Sequence, residues 1–89
     1  MNIEMISAIF EDQPSKIKSL VDQGFDVNMR SHIVMPPLHR AAMYGKVNAL
    51  KMLLELGADR NLQDVDHHTA LYFATKYKHS SIEKILQEN

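Results

Sequence analysis

The stretch Gly57-Ala58-Asp59-Arg60-Asn61 repeats Gly24-Phe25-Asp26-Val27-Asn28 at a distance of 33 residues. The same step brings three further sets into register along the chain: Leu20, Leu53 and Leu86; Met5, Leu38 and Leu71; and Ala8, Ala41 and Ala74. The three sets differ from one another in residue type and come from different parts of the repeating unit. A period in this range indicates a solenoid built from stacked supersecondary units.

Composition narrows the class of protein. The chain has 89 residues, enough for one domain, and 45% of them are hydrophobic, which is ordinary for a globular protein. It has no cysteine, so neither disulfides nor thiolate metal sites can form. The amino terminus does not resemble a secretory signal, and every apolar run is too short to cross a bilayer. These features favour a cytoplasmic location.

Charge argues against nucleic acid as a partner. Ten Lys and Arg residues oppose eleven Asp and Glu residues, for a formal net charge of -1, and the basic residues are scattered along the sequence. A duplex-binding protein normally carries a clustered basic face. We therefore expect no nucleic-acid partner.

Each unit of the repeat is predicted to contain two short helices and an extended connection. In the middle unit Pro37 suits the first helical position, because its φ is fixed and its missing N–H is not needed there. Gly45 then ends the first helix. A second helix is predicted over residues 47–56, followed by Gly57 as a stop that tolerates positive φ.

Helices of about ten residues are marginal in isolation, so these must stack to persist. Stacking is expected to bury a set of leucines against the neighbouring units: Leu20, Leu50, Leu53, Leu54 and Leu86. The alanines at positions 8, 41 and 74 are expected to let the first helices approach closely.

Pro36-Pro37-Leu38-His39-Arg40-Ala41-Ala42, with the tract from Leu53 to Asp59, resembles an ankyrin repeat. The resemblance implies an all-α solenoid of stacked helix pairs with hairpin-like connections. It divides a single domain, residues 1–89, into three repeats at about 3–35, 36–68 and 69–89. The polar residues Glu83, Lys84, Gln87 and Glu88 are expected to cap the last layer, making a complete three-layer protein.

The chain departs from the family pattern at two kinds of position. Pro36 stands where the family places a capping Thr, and the third repeat keeps Thr69 but has Tyr72 in place of the motif histidine. At the hairpin tips the family carries Gly, whereas this chain has Val34 and His67. Because a β-branched residue resists positive φ, we expect the first tip, residues 31–35, to be distorted or mobile.

Histidines are the obvious candidates for chemistry. His67, His68 and His79 suggest a metal site, but adjacent histidines on a turn point in different directions and no acidic or thiol ligand recurs at a suitable spacing. The resemblance gives His39 a structural role. No phosphate loop, His-Glu-x-x-His motif or nucleophile elbow is found. We therefore expect no catalytic residue, no metal and no cofactor.

The resemblance implies binding of another protein through the hairpin tips and the exposed side of the first helices, which together line a concave surface. The matching residues in this chain are Phe10, Glu11, Arg30, His32, Ile33, Met35, Met43, Tyr44, Gln63, Val65, Asp66, His68, Lys76 and Tyr77. Tyr44 and Tyr77 are expected on adjacent layers, and aromatic residues and Met are enriched in interface cores.

The first hypothesis is therefore a non-catalytic protein-binding module, and its more specific version is an inhibitor or immunity protein of an enzyme or toxin. Two alternatives remain: a histidine-dependent metal- or ligand-responsive protein, and a self-associating structural module. The sequence does not name the partner, because one fold hosts many functions.

Overall fold

The computed structural model describes residues 3–31 and 34–88. Within them the chain forms helices and irregular connections without a β-strand. The helices are α1 (Ile3–Phe10), α2 (Pro14–Asp22), α3 (Pro37–Tyr44), α4 (Val47–Glu55), α5 (Ala70–Lys76) and α6 (Ser80–Gln87). They form three antiparallel pairs, one in each predicted repeat.

The pairs are stacked as layers of a solenoid. The first helices pack in the order α1, α3, α5, and the second helices pack in the order α2, α4, α6. Ala8, Ala41 and Ala74 are fully buried on the first helices, as expected if small side chains let these helices approach closely. The predicted all-α fold of stacked helix pairs is confirmed.

The middle repeat follows the predicted boundaries closely. Pro37 is the first residue of α3, and Gly45 ends that helix with a φ of 73°. Helix α4 ends at Glu55, one residue earlier than predicted, with Leu56 as its C-cap. Gly57 follows with a φ of 100°. Neither Pro36 nor Thr69 makes a side-chain cap, in agreement with the incomplete motifs.

The core contains most of the predicted leucines. Leu50 and Leu53 are fully buried, and Leu20 and Leu86 nearly so. Leu54 is an exception, because it is only half-buried at the edge of the core. Successive residues of a helix point about 100° apart, so Leu53 and Leu54 cannot both face the same seam.

The tract that defines the period forms a turn and then joins one repeat to the next. Oδ1 of Asp26 accepts a hydrogen bond from the backbone N–H of Asn28 at 2.9 Å. Asp59 and Asn61 repeat this bond at 2.9 Å. The Asn28 side chain also donates to the Gly57 carbonyl at 3.2 Å and accepts from the Asp59 N–H at 2.8 Å. The tract is therefore a connector between layers.

The turns between paired helices share one backbone conformation. Asp12, Gly45 and Lys78 are 33 residues apart and have φ values of 55°, 73° and 60°. Of these three turns, sequence reasoning identified only the one that contains Gly. Asp12 also caps the next repeat: its Oδ1 accepts from the Ala49 N–H at 2.7 Å, in the first turn of α4. A carboxylate at a helix N-terminus satisfies an otherwise unpaired donor.

The last helix presents polar residues outward while burying Ile82 and Leu86. Arg60 donates to the carbonyls of Ile85 and Glu88, at 2.6 and 2.9 Å, and so satisfies the end of α6. No helix in residues 3–31 or 34–88 is long and apolar enough to cross a membrane.

Candidate functional site

The second hairpin tip, residues 64–68, is a well-defined turn. The His67 N–H donates to the Asp64 carbonyl, and the Asp64 N–H donates to the His68 carbonyl, both at 2.9 Å. His67 has a φ of 66° and so occupies the left-handed position of the missing glycine. The buried carboxylate of Asp64 holds the turn, since its Oδ1 accepts from the N–H groups of Asp66 and His68.

The first tip closes differently. The Ser31 N–H donates to the Val34 carbonyl at 3.0 Å. In the second tip the equivalent donor, Asp64, reaches His68, which is one residue farther along. The two tips therefore close with different hydrogen bonds, and the expected distortion or mobility of residues 31–35 stays a prediction. His32 and Ile33, both predicted to bind a partner, lie outside the described residues.

A groove of about 550 Å³ lies between the two tips. Arg30 lies in its wall and donates to the backbone carbonyl of Gln63 in the next repeat. Val65, 48% exposed, lies on the opposite tip. The full lining is Arg30, Ser31, Gln63, Asp64, Val65 and His67. Arg30, Gln63 and Val65 were predicted from the sequence to bind a partner, whereas Ser31, Asp64 and His67 were not.

A second, smaller cavity of about 280 Å³ adjoins the tips. Met35 and Asp66, both predicted to bind a partner, line this cavity together with Val65. Phe73 from α5 forms part of its wall and was not predicted. This phenylalanine packs edge-on against Tyr72 and His68, so the tip continues into the aromatic surface of the third repeat.

The far ends of α1 and α3 meet through aromatic rings. Phe10 and Tyr44 pack edge-to-face, with ring centroids 5.6 Å apart and an interplanar angle of 89°. Phe10 nevertheless remains 59% exposed. Lys46 Nζ lies 5.1 Å from the centre of the Phe10 ring, and Arg40 donates to the Tyr44 hydroxyl at 3.0 Å. Sequence reasoning missed both cations.

Two other predicted residues in this region differ in exposure. Glu11 is exposed, and its carboxylate accepts a hydrogen bond from the Ser7 hydroxyl at 3.2 Å. Met43 is half-buried, and its backbone carbonyl contacts His79 Nε2 at 3.0 Å. Glu11 is therefore accessible to a partner, whereas Met43 helps to hold adjacent layers together.

The third repeat carries another aromatic and cationic group. Lys76 Nζ lies 5.9 Å from the centre of the Tyr72 ring and 5.7 Å from that of Tyr77. His68 stacks on Tyr72, with centroids 3.8 Å apart and planes 6° apart. Tyr77 is 46% exposed. His68 and Lys76 both contact Tyr72, and Lys76 also contacts Tyr77, so three predicted residues are linked. Tyr44 instead contacts Phe10 and Arg40.

His39 is structural, as the resemblance implied. Its ring is fully buried, and its Nε2 lies 2.8 Å from the His68 carbonyl, which ties α3 to the second tip. Burial lowers the pKa of His39 because the charged form loses hydration. His39 is therefore neutral at physiological pH and holds the tip in place.

The residues that could hold a metal differ from those suggested by the sequence. Asp64, Asp66 and His68 place possible ligand atoms within 4.8 Å of one another. Asp64 already accepts two backbone hydrogen bonds, so its carboxylate has a structural task without a cation. His67 is exposed on the tip, while His79 contacts Met43 at the turn between α5 and α6. These two histidines do not converge on one site.

Comparison with known proteins agrees with this geometry. Residues 5–89 match a family model described as ankyrin repeats in three copies. A putative ankyrin repeat protein of Acanthamoeba polyphaga mimivirus is 29% identical over 75 residues, which is 84% of this chain and 46% of that protein. Neurogenic locus notch homolog protein 1 of Mus musculus is 35% identical over 80 residues, 89% of this chain and 3% of that protein.

A putative ankyrin repeat protein of fowlpox virus is 30% identical over 81 residues, covering 91% of this chain and 12% of that protein. The chain thus spans less than half the length of each of these relatives. The family match covers all three helix pairs, including the tips and helix ends described above. On this match and on the observed stacking, the chain belongs to the ankyrin repeat family.

Proposed function

We propose that this protein is a non-catalytic module that binds a partner protein through one face, which we call the first-helix face. This face consists of the hairpin tips and the exposed sides of α1, α3 and α5. Ankyrin repeats are in general protein–protein interaction modules and are typically non-catalytic. We place the protein in the cytoplasm as part of the same proposal.

The observation that carries the proposal is the uneven distribution of exposed apolar side chains. Among the described residues, the large hydrophobic side chains that stay exposed are Ile3, Phe10, Val65, Tyr72 and Tyr77. All of them lie on first helices, on the turn after α5 or on the second tip. None lies on α2, α4 or α6. Exposed apolar side chains concentrated on one set of helices and their adjoining turns are typical of interaction surfaces.

The groove between the tips supports the same face. Arg30 and Val65 give it a charged wall and an apolar wall, and the hydrogen bond from Arg30 to Gln63 fixes its shape. A groove whose walls are already joined by this hydrogen bond requires less ordering when a partner binds. Preorganisation of this kind increases affinity, because less conformational entropy is lost.

The test begins with a partner obtained by affinity capture from the native host. Tyr44 and Tyr77 are then replaced together by Ala, and the affinity for the purified partner is measured. We expect a loss of about tenfold or more, because truncating an interface tyrosine commonly costs more than 1 kcal/mol. The control replaces exposed residues of the second helices, Lys51 and Lys84, by Ala.

Unchanged affinity of the tyrosine variant, with an intact fold by circular dichroism, would reject the first-helix face. An equal loss in the lysine control would do the same, because it would place the contact elsewhere. A partner that is an enzyme and loses activity in the complex would support the narrower proposal of an inhibitor or immunity protein. A partner whose activity is unchanged in the complex would favour an adaptor function for this chain.

A further inference from the structure

Cations collect at the far ends of the first helices. Lys46 follows the end of α3, and the Arg40 side chain reaches that end at the Tyr44 hydroxyl. Lys76 and Lys78 lie at the end of α5. The carboxylates of Glu11 and Asp12 follow the end of α1; that of Glu11 accepts from the Ser7 hydroxyl, and that of Asp12 accepts from the Asn48 side chain and the Ala49 N–H of α4. The formal net charge of the whole chain is -1, so this basic cluster is a local asymmetry.

These cations are not neutralised by carboxylates within the part of the chain that the structure describes. The ion pair found there joins Lys18 and Asp22 on α2. Three of the cations instead lie beside aromatic rings: Arg40 with Tyr44, Lys46 with Phe10, and Lys76 with Tyr72 and Tyr77. The rings orient the cationic groups without cancelling their charge.

Cations near a helix C-terminus also complement the helix dipole, which accounts for part of their placement. The dipole does not account for the rings beside them: Tyr44 packs against the edge of the core, but Phe10, Tyr72 and Tyr77 stay exposed. Phe10 and Tyr77 are exposed at the two sides of the cluster. The surface therefore offers charge and apolar area together.

We propose that the ends of the first helices bind an acidic segment of a partner protein that carries an aromatic or aliphatic anchor. Carboxylates of the segment pair with Arg40, Lys46 and Lys76, and the anchor packs on the exposed rings. This inference rests on the proposed function and adds the chemistry of the partner. Charge complementarity also speeds association and excludes basic competitors.

Single-stranded nucleic acid is the competing occupant, because it too binds basic grooves lined by aromatic rings. The cluster is short, however, and the groove between the tips, at the other end of the first-helix face, is lined by Asp64, with Asp66 in the adjoining cavity. A phosphate backbone following the first-helix face would meet these carboxylates. A protein segment with carboxylates at one end only avoids that repulsion.

The experiment selects displayed random peptides on the immobilised chain. We expect peptides recovered on the wild type to be enriched in Asp and Glu beside an aromatic or aliphatic residue. The test variant carries Lys46→Gln and Lys76→Gln, and the matched control carries Lys51→Gln and Lys84→Gln on the second helices. A recovered acidic peptide is expected to bind the test variant more weakly on the order of tenfold, and the control unchanged.

A Lys46→Arg, Lys76→Arg variant retains the charges and is expected to bind as the wild type does, which separates charge from folding. Peptides recovered without an acidic excess would overturn the inference but leave the proposed function intact. Equal binding of the acidic peptide to the test variant would overturn it as well. A labelled oligothymidine that binds the wild type, but not the test variant, would assign the cluster to nucleic acid instead. Failure to recover any peptide would overturn the inference, whereas the proposed function is judged by the captured partner protein.

Discussion

The seam between repeats and the first-helix face use polar side chains in opposite ways. At the seam, Asp12, Asn28 and His79 each contact the backbone of an adjacent repeat, and His39 contacts the backbone at the end of its own repeat. On the face, Arg40, Lys46 and Lys76 contact aromatic rings and solvent. Seam contacts replace water around backbone groups that would otherwise be unpaired. Contacts on the face leave both the charges and the apolar surface available to a partner.

This contrast separates stability from binding. A buried backbone group that loses its partner destabilises the fold, whereas an exposed side chain contributes little to it. Substitutions at the seam should therefore lower the free energy of unfolding. Substitutions on the face should lower affinity while leaving the unfolding transition in place.

The largest expected effect comes from Gly45→Ala. An added Cβ would lie 2.7 Å from Cε1 and Nδ1 of His79, and Gly45 has a φ of 73°. The His79 ring would have to move away from the Met43 carbonyl, and the left-handed backbone would be strained. We expect a loss of about 2 to 3 kcal/mol in the free energy of unfolding, measured by urea denaturation.

Gly57→Ala is the matched control, because Gly57 also has positive φ but nothing lies within 4 Å of an added Cβ. It should report backbone strain alone, about 1 to 2 kcal/mol. If both substitutions cost the same, the contact with His79 does not contribute and the description of this seam is wrong.

Asp12→Ala should have the next largest effect. It removes the acceptor for the Ala49 N–H and the partner of the Asn48 side chain. The expected loss is about 1 to 2 kcal/mol, as for other helix caps. Asp12→Asn keeps one acceptor and should lose less. Glu11→Ala, one residue away and exposed, should change stability by less than about 0.5 kcal/mol. Similar losses for the two alanine variants would argue against a cap that joins the repeats.

The pH dependence of stability tests the buried histidine of the seam. Burial lowers the pKa of His39 in the folded state below its ordinary value of 6.5. The unfolded chain therefore binds protons more readily than the folded chain. The contribution of the neutral His39 to the free energy of unfolding is fully present above pH 6.5. It falls as the pH decreases from there towards the folded pKa.

Denaturant midpoints measured above and below that value should show this decrease in the wild type. His39→Gln should be less stable overall and should flatten this part of the pH dependence. His67→Gln, on the exposed tip, serves as the control and should retain the slope. A wild-type slope that survives in His39→Gln would contradict the assignment.

The smallest stability effect is expected at the second tip. His67 has a φ of 66°, which glycine adopts without strain. His67→Gly should stabilise the fold by about 0.5 kcal/mol, since relief of strain is partly offset by the greater freedom of the unfolded chain. Thermal unfolding measures the shift. A clear loss of stability would mean that the imidazole itself supports the tip.

The 33-residue period identifies residues of the seam better than residues of the proposed face. A spacing of 33 residues identifies Gly24 and Gly57, and stacking at that spacing places Asn28 beside the following turn. It does not reveal Asp12 or Lys78, which adopt the backbone of Gly45 with other side chains. Left-handed conformations at residues other than Gly depend on tertiary contacts that local sequence does not encode.

The face was predicted by position but not by chemistry. Transfer of the family's binding positions selected Phe10, Tyr44 and Tyr77 for the proposed face. It missed Lys46 and Tyr72, because their roles come from ring contacts formed only after folding. The groove between the tips likewise depends on Asp64, whose carboxylate organises a turn that the sequence shows only as polar residues.

The most direct test of the central claim is to map the contact surface by amide chemical shifts of the isotope-labelled chain, with and without the captured partner. We predict that the largest shifts fall at residues 10–12, 43–46, 64–68 and 76–78. Amides of α2, α4 and α6 should change little. Largest shifts on α2, α4 and α6, with the first-helix face unaffected, would contradict the account.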